Sequence, residues 1–320
     1  MRHLLSVNDL RKNEILEIFR ITDEIKGGKM EGLLQGKTLS LLFEKPSTRT
    51  RVSFQSAMFL LRGNSIYLDA KRTQMSRGET YGDTARVLSL YSNFIAARMN
   101  RHGDLLAFAK ESSVPVINAL TDLEHPCQAL SDIYTIREIK GELKGTKIAF
   151  IGDIDANTAN SLMLASTKLE MGFSLVGPVD KPPFIGYGKA TKTQKDGSAC
   201  RNQLAIYLRK ARKQGTVEVH KDIRRGLSGA DIVYTDTWVS MGEEAEHDAR
   251  IRLFSEYQLN KKTLGYAKRG ARVMHCLPAH RGEEITSDVL DGPQSIVMEQ
   301  AKNKMYVEAA ILTYLDMKSG

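Results

Sequence analysis

Thr38-Leu39-Ser40-Leu41-Leu42-Phe43-Glu44-Lys45-Pro46-Ser47-Thr48-Arg49-Thr50-Arg51 runs from apolar residues into a polar turn. Residues 38–43 read as a buried strand. Beyond the turn, Phe54, Ala57, Met58 and Leu61 recur at helical spacing. Ser47 to Arg51 therefore sits where a strand becomes a helix. A helix start carries unpaired backbone N–H groups and a partial positive charge, so it attracts anions. Hydroxyl residues and two arginines stand at the same place, and a guanidinium matches phosphate oxygens in a fork. The plain alternative is a Ser or Thr cap with solvated arginines. The combination favours a phosphate cradle.

Outward from this turn, strands and helices alternate. Strands are predicted at 65–68, 94–98, 114–118, 147–152, 173–177, 217–219, 231–235 and 273–276. Helices are predicted at 6–26, 81–91, 104–111, from about 126 to 140, and at 157–171, 203–213, 222–227 and 302–317. This is an α/β pattern, expected to give open parallel sheets with helices on both faces. A break at Gly141 to Gly145 divides the chain. One domain is expected to hold residues 1–140 with 303–320, the other residues 141–302. In such sheets ligands bind beyond the carboxyl ends of strands. Polar clusters fall at these ends: Ser47 to Arg51, His125 to Gln128, Asp153 to Asn160, Asp236 to Gly242 and His275 to Arg281. The polar stretch Asp69 to Glu79 reads as a functional loop.

The 320 residues are 42% hydrophobic and 26% charged, ordinary for a globular chain of two domains. The formal net charge of +8 is spread along the chain. No basic run is interleaved with aromatics, so nucleic acid is not implied. A small anionic substrate or a solvated basic surface accounts for the excess. Cys127, Cys200 and Cys276 are widely spaced and form no CxxC pair, which argues against a disulfide framework or zinc site. The first residues have no long apolar core, and no run approaches the length of a membrane span. A cytoplasmic location is expected. Residues 179–200 are rich in Lys, Gly, Pro and Thr and read as a solvated surface segment. A nucleotide-binding dehydrogenase is disfavoured, because Gly152 is followed by Asp153-Ile154-Asp155 and not by a G-x-G-x-x-G turn.

Four motifs, in this order, resemble the aspartate/ornithine carbamoyltransferase family: Ser-Thr-Arg-Thr at 47–50, His-Pro-Cys-Gln at 125–128, Asp236 with Ser240-Met241-Gly242, and His-Cys-Leu-Pro at 275–278. The Cys in the second motif and the last two motifs resemble the ornithine branch. The resemblance implies direct carbamoyl transfer from carbamoyl phosphate to an uncharged amine, without a cofactor or metal ion. Such a reaction asks for an anion cradle, donors that polarise the carbamoyl carbonyl, and an amine held deprotonated at attack distance.

Carried over residue by residue, the resemblance implicates Ser47, Thr48, Arg49, Thr50 and Arg98 in holding the phosphate. It places His125 and Gln128 on the carbamoyl group, with Pro126, Cys127, Cys276, Leu277 and Lys304 beside them. Taken alone, Arg98 would be read as a surface arginine, His125 as the residue before a helix, and Cys276 as a packing residue. Gln74 matches a family glutamine that reaches carbamoyl phosphate in a neighbouring subunit. A homotrimer, or a multiple of trimers, with active sites between subunits is then expected. Asp236, Asn157, Ser240 and Met241 are expected to hold ornithine, and Cys276 with Asp236 to orient its side-chain amine. Arg98, His125, Gln128, Asp236 and Cys276 are the expected catalytic group. Aspartate as acceptor is disfavoured by the Ser240 and His275 motifs, and putrescine has no carboxylate for an α-carboxylate site to hold; an acylated ornithine stays open as an alternative acceptor.

Three positions depart from the family pattern. Lys304 stands where an arginine is usual, Gln55 where Ser-Phe is usually followed by glutamate, and Ala156-Asn157 replaces paired asparagines. Lysine keeps the charge at 304 but loses the guanidinium fork.

Overall fold

The computed structural model describes residues 2–29, 32–179, 198–239 and 244–319, without the side chains of 198–203 and 244. Residues 180–197, and with them most of the basic segment, lie outside this set, as do Ser240, Met241 and Gly242. The chain divides into two compact units, Met1–Tyr134 with Lys302–Gly320, and Thr135–Ala301.

The first unit holds α1 (Lys12–Lys26), β1 (Thr38–Phe43), α2 (Thr48–Leu60), β2 (Asn64–Asp69), α3 (Tyr81–Tyr91), β3 (Phe94–Arg98), α4 (His102–Glu111), β4 (Val116–Leu120) and the start of α5 (Pro126–Lys140). Its sheet is parallel throughout, in the order β2-β1-β3-β4. β3 (FIAAR) is buried along its whole length and β1 from Leu39 onward, as expected of strands covered on both faces. The order steps one way from β1 to β2 and the other way from β2 to β3. Right-handed crossovers then put α2 on one face and α3 on the other. Leu42, Ile95, Ala97, Leu105, Phe108 and Val116 form part of the core beneath.

The second unit contains β5 (Lys147–Ile151), α6 (Asn157–Lys168), β6 (Gly172–Val176), α7 (Ser198–Arg212), β7 (Val217–His220), α8 (Ile223–Leu227), β8 (Ile232–Thr235), α9 (His247–Phe254), α10 (Lys261–Leu264), β9 (Arg272–His275), α11 (Ser287–Leu290) and the start of α12 (Val297–Met317). Its parallel sheet runs β7-β6-β5-β8-β9. Ile151, Val176, Val233, Leu259, Val273 and Ile285 anchor its core.

Each sheet reverses direction at its first strand, beside β1 in one and β5 in the other. A crevice opens at such a switch point, where neighbouring connections leave toward opposite faces. Three of the five polar clusters follow the strands at these points, β1, β5 and β8, and the other two follow β4 and β9, one strand further out.

The N-terminal helix begins later than the apolar spacing suggests. Ser6 caps only a short 3-10 turn, Val7–Asp9, closed by the Ser6 N–H donating in return to the Asp9 carboxylate. That box completes a single turn, and Arg11 starts α1 afresh. Among the described helices none is long and apolar enough to cross a membrane.

Candidate active site

In the first unit, Ser47 caps α2: its hydroxyl accepts from the Thr50 N–H at 3.3 Å. Thr48 and Arg49 on the first turn are exposed, while Thr50 is buried. This turn is held to the end of β3. The Glu44 N–H donates to the Arg98 carbonyl at 2.9 Å. The Glu44 carboxylate accepts from the Asn100 N–H at 2.7 Å and the Tyr81 hydroxyl at 2.8 Å. Arg98 thus leaves β3 beside the start of α2, and its side chain is largely buried. Arg51 lies over the Tyr67 ring, 3.8 Å from its centroid, and donates to Gln55 Oε1 at 3.3 Å.

His125 is buried just before α5. Its pKa lies well below the usual histidine value, first because burial disfavours the cation and then because Lys304 and Arg98 bring positive charge. The imidazole is neutral, with one nitrogen a donor and the other an acceptor. Gln128 is buried on the first turn of α5, and its amide donates to Asp132 at 2.8 Å. That bond fixes which end of the amide is carbonyl. Cys127 is fully buried, with its thiol toward the Asn118 carbonyl at 3.5 Å. Lys304, on α12 but within the first unit, donates to Thr50 Oγ1 at 3.1 Å. The fold therefore gathers Ser47, Thr50, Arg98, His125, Gln128 and Lys304 around one switch point. Gln74 is exposed, in a 3-10 turn (Gln74–Arg77).

Two carboxylates that the sequence reading passed over hold this group in place. Glu124 is buried and accepts from the Ser6 hydroxyl at 2.5 Å and the Val7 N–H at 3.0 Å. It ties the residue before His125 to the N-terminal turn. Asp132 fixes Gln128, and its signal was the i,i+4 spacing on one helix.

In the second unit, Thr235 Oγ1 donates to the Ile151 carbonyl at 2.8 Å, joining the ends of β5 and β8. Asp236 follows directly and is half-buried. Its Oδ1 accepts from the Thr237 N–H at 2.8 Å and the Cys276 thiol at 2.9 Å. Asn157 opens α6 nearby in sequence to the end of β5. Leu277 adopts a left-handed backbone, φ 57°, uncommon for a branched residue. Its N–H donates to His275 Nδ1 at 2.9 Å. His275 Nε2 therefore bears the proton and donates to Glu284 Oε1 at 2.9 Å. This pair, buried on both sides, sets the course of the chain through Cys276 and Leu277.

Two family models match the chain. Residues 2–138 match the carbamoyl-P binding domain of aspartate/ornithine carbamoyltransferase, and residues 144–315 match its Asp/Orn binding domain. The chain belongs to the aspartate/ornithine carbamoyltransferase family. Within it, the chain is 44% identical over 315 residues to an ornithine carbamoyltransferase of Bacillus thuringiensis subsp. konkukian, covering 98% of this chain and 94% of that protein. It is 44% identical over 318 residues to the ornithine carbamoyltransferase of Pyrococcus abyssi, with 98% and 95% covered. The fold is similar to that of ornithine carbamoyltransferase from Pyrococcus furiosus, with a TM-score of 0.83 at 43% identity over 97% of this chain and 96% of that one. The anabolic enzyme from Campylobacter jejuni gives a TM-score of 0.85 at 35% identity, over 99% and 100%.

Proposed function

We propose that this chain transfers the carbamoyl group of carbamoyl phosphate to the side-chain amine of L-ornithine, giving L-citrulline and phosphate. The observation that carries this reading is the meeting of Ser47, Thr50, Arg98, His125 and Lys304 at the switch point of the first sheet. Two of these side chains, Arg98 and Lys304, bear positive charge beside a helix start, which is what a dianionic leaving group requires. The first unit is then the carbamoyl phosphate domain and the second the ornithine domain.

Ser47, Thr48, Arg49, Thr50 and Arg98 hold the phosphate and take up its charge as the C–O bond breaks. Neutral His125 donates to the carbamoyl carbonyl, joined by Thr50 and Arg98. The Gln128 carbonyl, left over from the Asp132 bond, accepts from the carbamoyl NH2. Pro126 and Cys127 lie beside His125 and Gln128 in the first unit, and Lys304 adds its charge beside Thr50. Asp236 holds the α-ammonium of ornithine, with Asn157, Ser240 and Met241 along its carboxylate and stem. The Cys276 thiol already donates to Asp236. A thiol in that role is protonated, which suits orientation of the amine and not nucleophilic attack.

Assembly as a homotrimer, with Gln74 reaching a neighbour's site, is supported by exposed apolar side chains on the first unit. Val52 and Phe59 share a face of α2, Ile66 stands on β2, and Val87, Leu90 and Tyr91 stand on α3. Sedimentation of the purified chain as a monomer at micromolar concentration would remove that part of the reading. A cytoplasmic role in arginine metabolism fits the same chemistry.

The decisive assay is citrulline formation from carbamoyl phosphate with ornithine, run beside putrescine and aspartate. Ornithine is expected to exceed the others by at least about a hundredfold in kcat/KM, because a site built for a charged amino-acid head leaves its polar groups unpaired otherwise. Equal turnover of putrescine sinks the ornithine assignment.

A further inference from the structure

Lys304 and Glu308 stand one turn apart on α12, so their side chains share a face. Both are buried, Glu308 completely. The Lys304 ammonium reaches Thr50 at the start of α2. Neither oxygen of Glu308 makes a hydrogen bond. The neighbouring Ser53 hydroxyl donates instead to the Thr50 carbonyl at 3.2 Å. A buried carboxyl without hydrogen bonds is costly, and the positive charge of Lys304 is what offsets that cost when the carboxyl ionises. Gln55, at the position where the family pattern has its glutamate, is engaged with Arg51.

We propose that Glu308 is an internal counter-anion of the phosphate cradle: it faces Lys304 while the cradle is empty and competes with an incoming phosphate for that ammonium. The proposal rests on the reading of Thr50 and Lys304 as part of the carbamoyl phosphate site. Its consequence is a tuned affinity. Lys304, Arg98 and the start of α2 with no opposing charge would hold the product phosphate as firmly as the substrate. In the weakly alkaline range, where Glu308 is ionised, a carboxylate against Lys304 weakens both and speeds release of the product. Glu308 is thus a positioning residue that acts through Lys304.

The groups facing Glu308 are Lys304 on its own helix, the Cys127 thiol on α5 and the Ser53 hydroxyl on α2, with His125 and Arg98 beyond Lys304. Burial pushes the Glu308 pKa up to about 8, and the charge of Lys304 opposes that rise. Burial drives the Cys127 thiol far upward and His125 well downward. Of these three, Glu308 alone changes charge in the weakly alkaline range.

The test uses inorganic phosphate as the probe and Glu308→Gln, which keeps the shape and removes the charge. Phosphate dissociation constants are measured by calorimetry for both proteins at about pH 6 and about pH 9. At about pH 9 the variant is expected to bind phosphate about tenfold more tightly than the unaltered chain; at about pH 6 the two should agree within about twofold. The ratio at each pH cancels the ionisation of phosphate itself. Equal affinities at about pH 9, weaker binding by the variant, or the same gain at both pH values overturns the proposal. Should the variant not fold, the unaltered chain supplies a second measurement. Its phosphate binding at about pH 9 must take up protons, seen as a dependence of the heat on buffer ionisation enthalpy, and no uptake overturns the proposal. A chain that shows this behaviour but makes no citrulline supports the counter-anion and rejects the functional reading. A chain that binds no phosphate rejects both.

Discussion

Replacing Asp236 with asparagine is expected to lower kcat/KM for ornithine by at least about a hundredfold, or about 3 kcal/mol of transition-state binding. The carboxylate oxygen Oδ1 accepts from both the Cys276 thiol and the Thr237 N–H. Asparagine can keep an oxygen there, so the local backbone has no reason to move. What is lost is the charge that opposes the α-ammonium of ornithine in a half-buried setting. The amine at the other end of the substrate then sits off its line of attack, and misplacement by about 1 Å costs about a hundredfold by itself. Affinity for inorganic phosphate should stay within about twofold, since its proposed ligands belong to the first unit. Steady-state kinetics with ornithine varied at saturating carbamoyl phosphate measures the effect. A variant within about fivefold of the unaltered chain contradicts the assignment of Asp236. Cys276→Ala should fall between the two, because the thiol acts on ornithine alongside Asp236.

The strand, turn and helix around Ser47 were legible because two signals agree there. An unbroken apolar run marks a strand covered on both faces, and helical spacing resumes within a few residues. All nine described strands fall close to predicted positions for the same reason. The three short helices α9, α10 and α11 carry too few turns to show a period, and the spacing is silent on them. Lys304 was reachable only through the family resemblance, since a lone lysine in a C-terminal helix reads as solvated. Glu308 could not be found at all. α12 is buried on nearly every side from Val307 to Leu315, so no polar stripe distinguishes an inward glutamate from an outward one. Arg250 was hidden differently. It closes the run Glu-Glu-Ala-Glu-His-Asp-Ala-Arg, which looks like a solvated acidic stretch, and its partner Asp153 lies 97 residues earlier. Pairing over such a distance leaves no local pattern.

Arg250 is nevertheless fully buried, and its loss is expected to be the most damaging single change to the second unit. Its guanidinium donates to Asp153 Oδ2 at 2.5 Å and to the Trp238 carbonyl at 2.5 Å. The Trp238 indole lies so close to Gly152 that a Cβ there would come within 2.9 Å of its Nε1. One side chain thus fastens the end of β5 to the segment that carries Asp236. Arg250→Met fills the volume but leaves a buried carboxylate without its cation, a loss of about 3–5 kcal/mol. That corresponds to a fall of about 10 °C in Tm for a unit of this size. KM for ornithine should rise as well, because Trp238 is two residues from Asp236. Replacing both partners separates the pair from its surroundings. Asp153→Leu with Arg250→Met removes the stranded Asp153 charge and should recover at least about 1 kcal/mol of the loss, although the Trp238 carbonyl loses its donor and Glu246, 3.6 Å from the Arg250 guanidinium, still loses that cation. Denaturant unfolding of the three variants tests this. Losses that simply add in the double variant mean that Asp153 and Arg250 do not act as a pair, and the fastening of Asp236 through Trp238 then has to come from elsewhere.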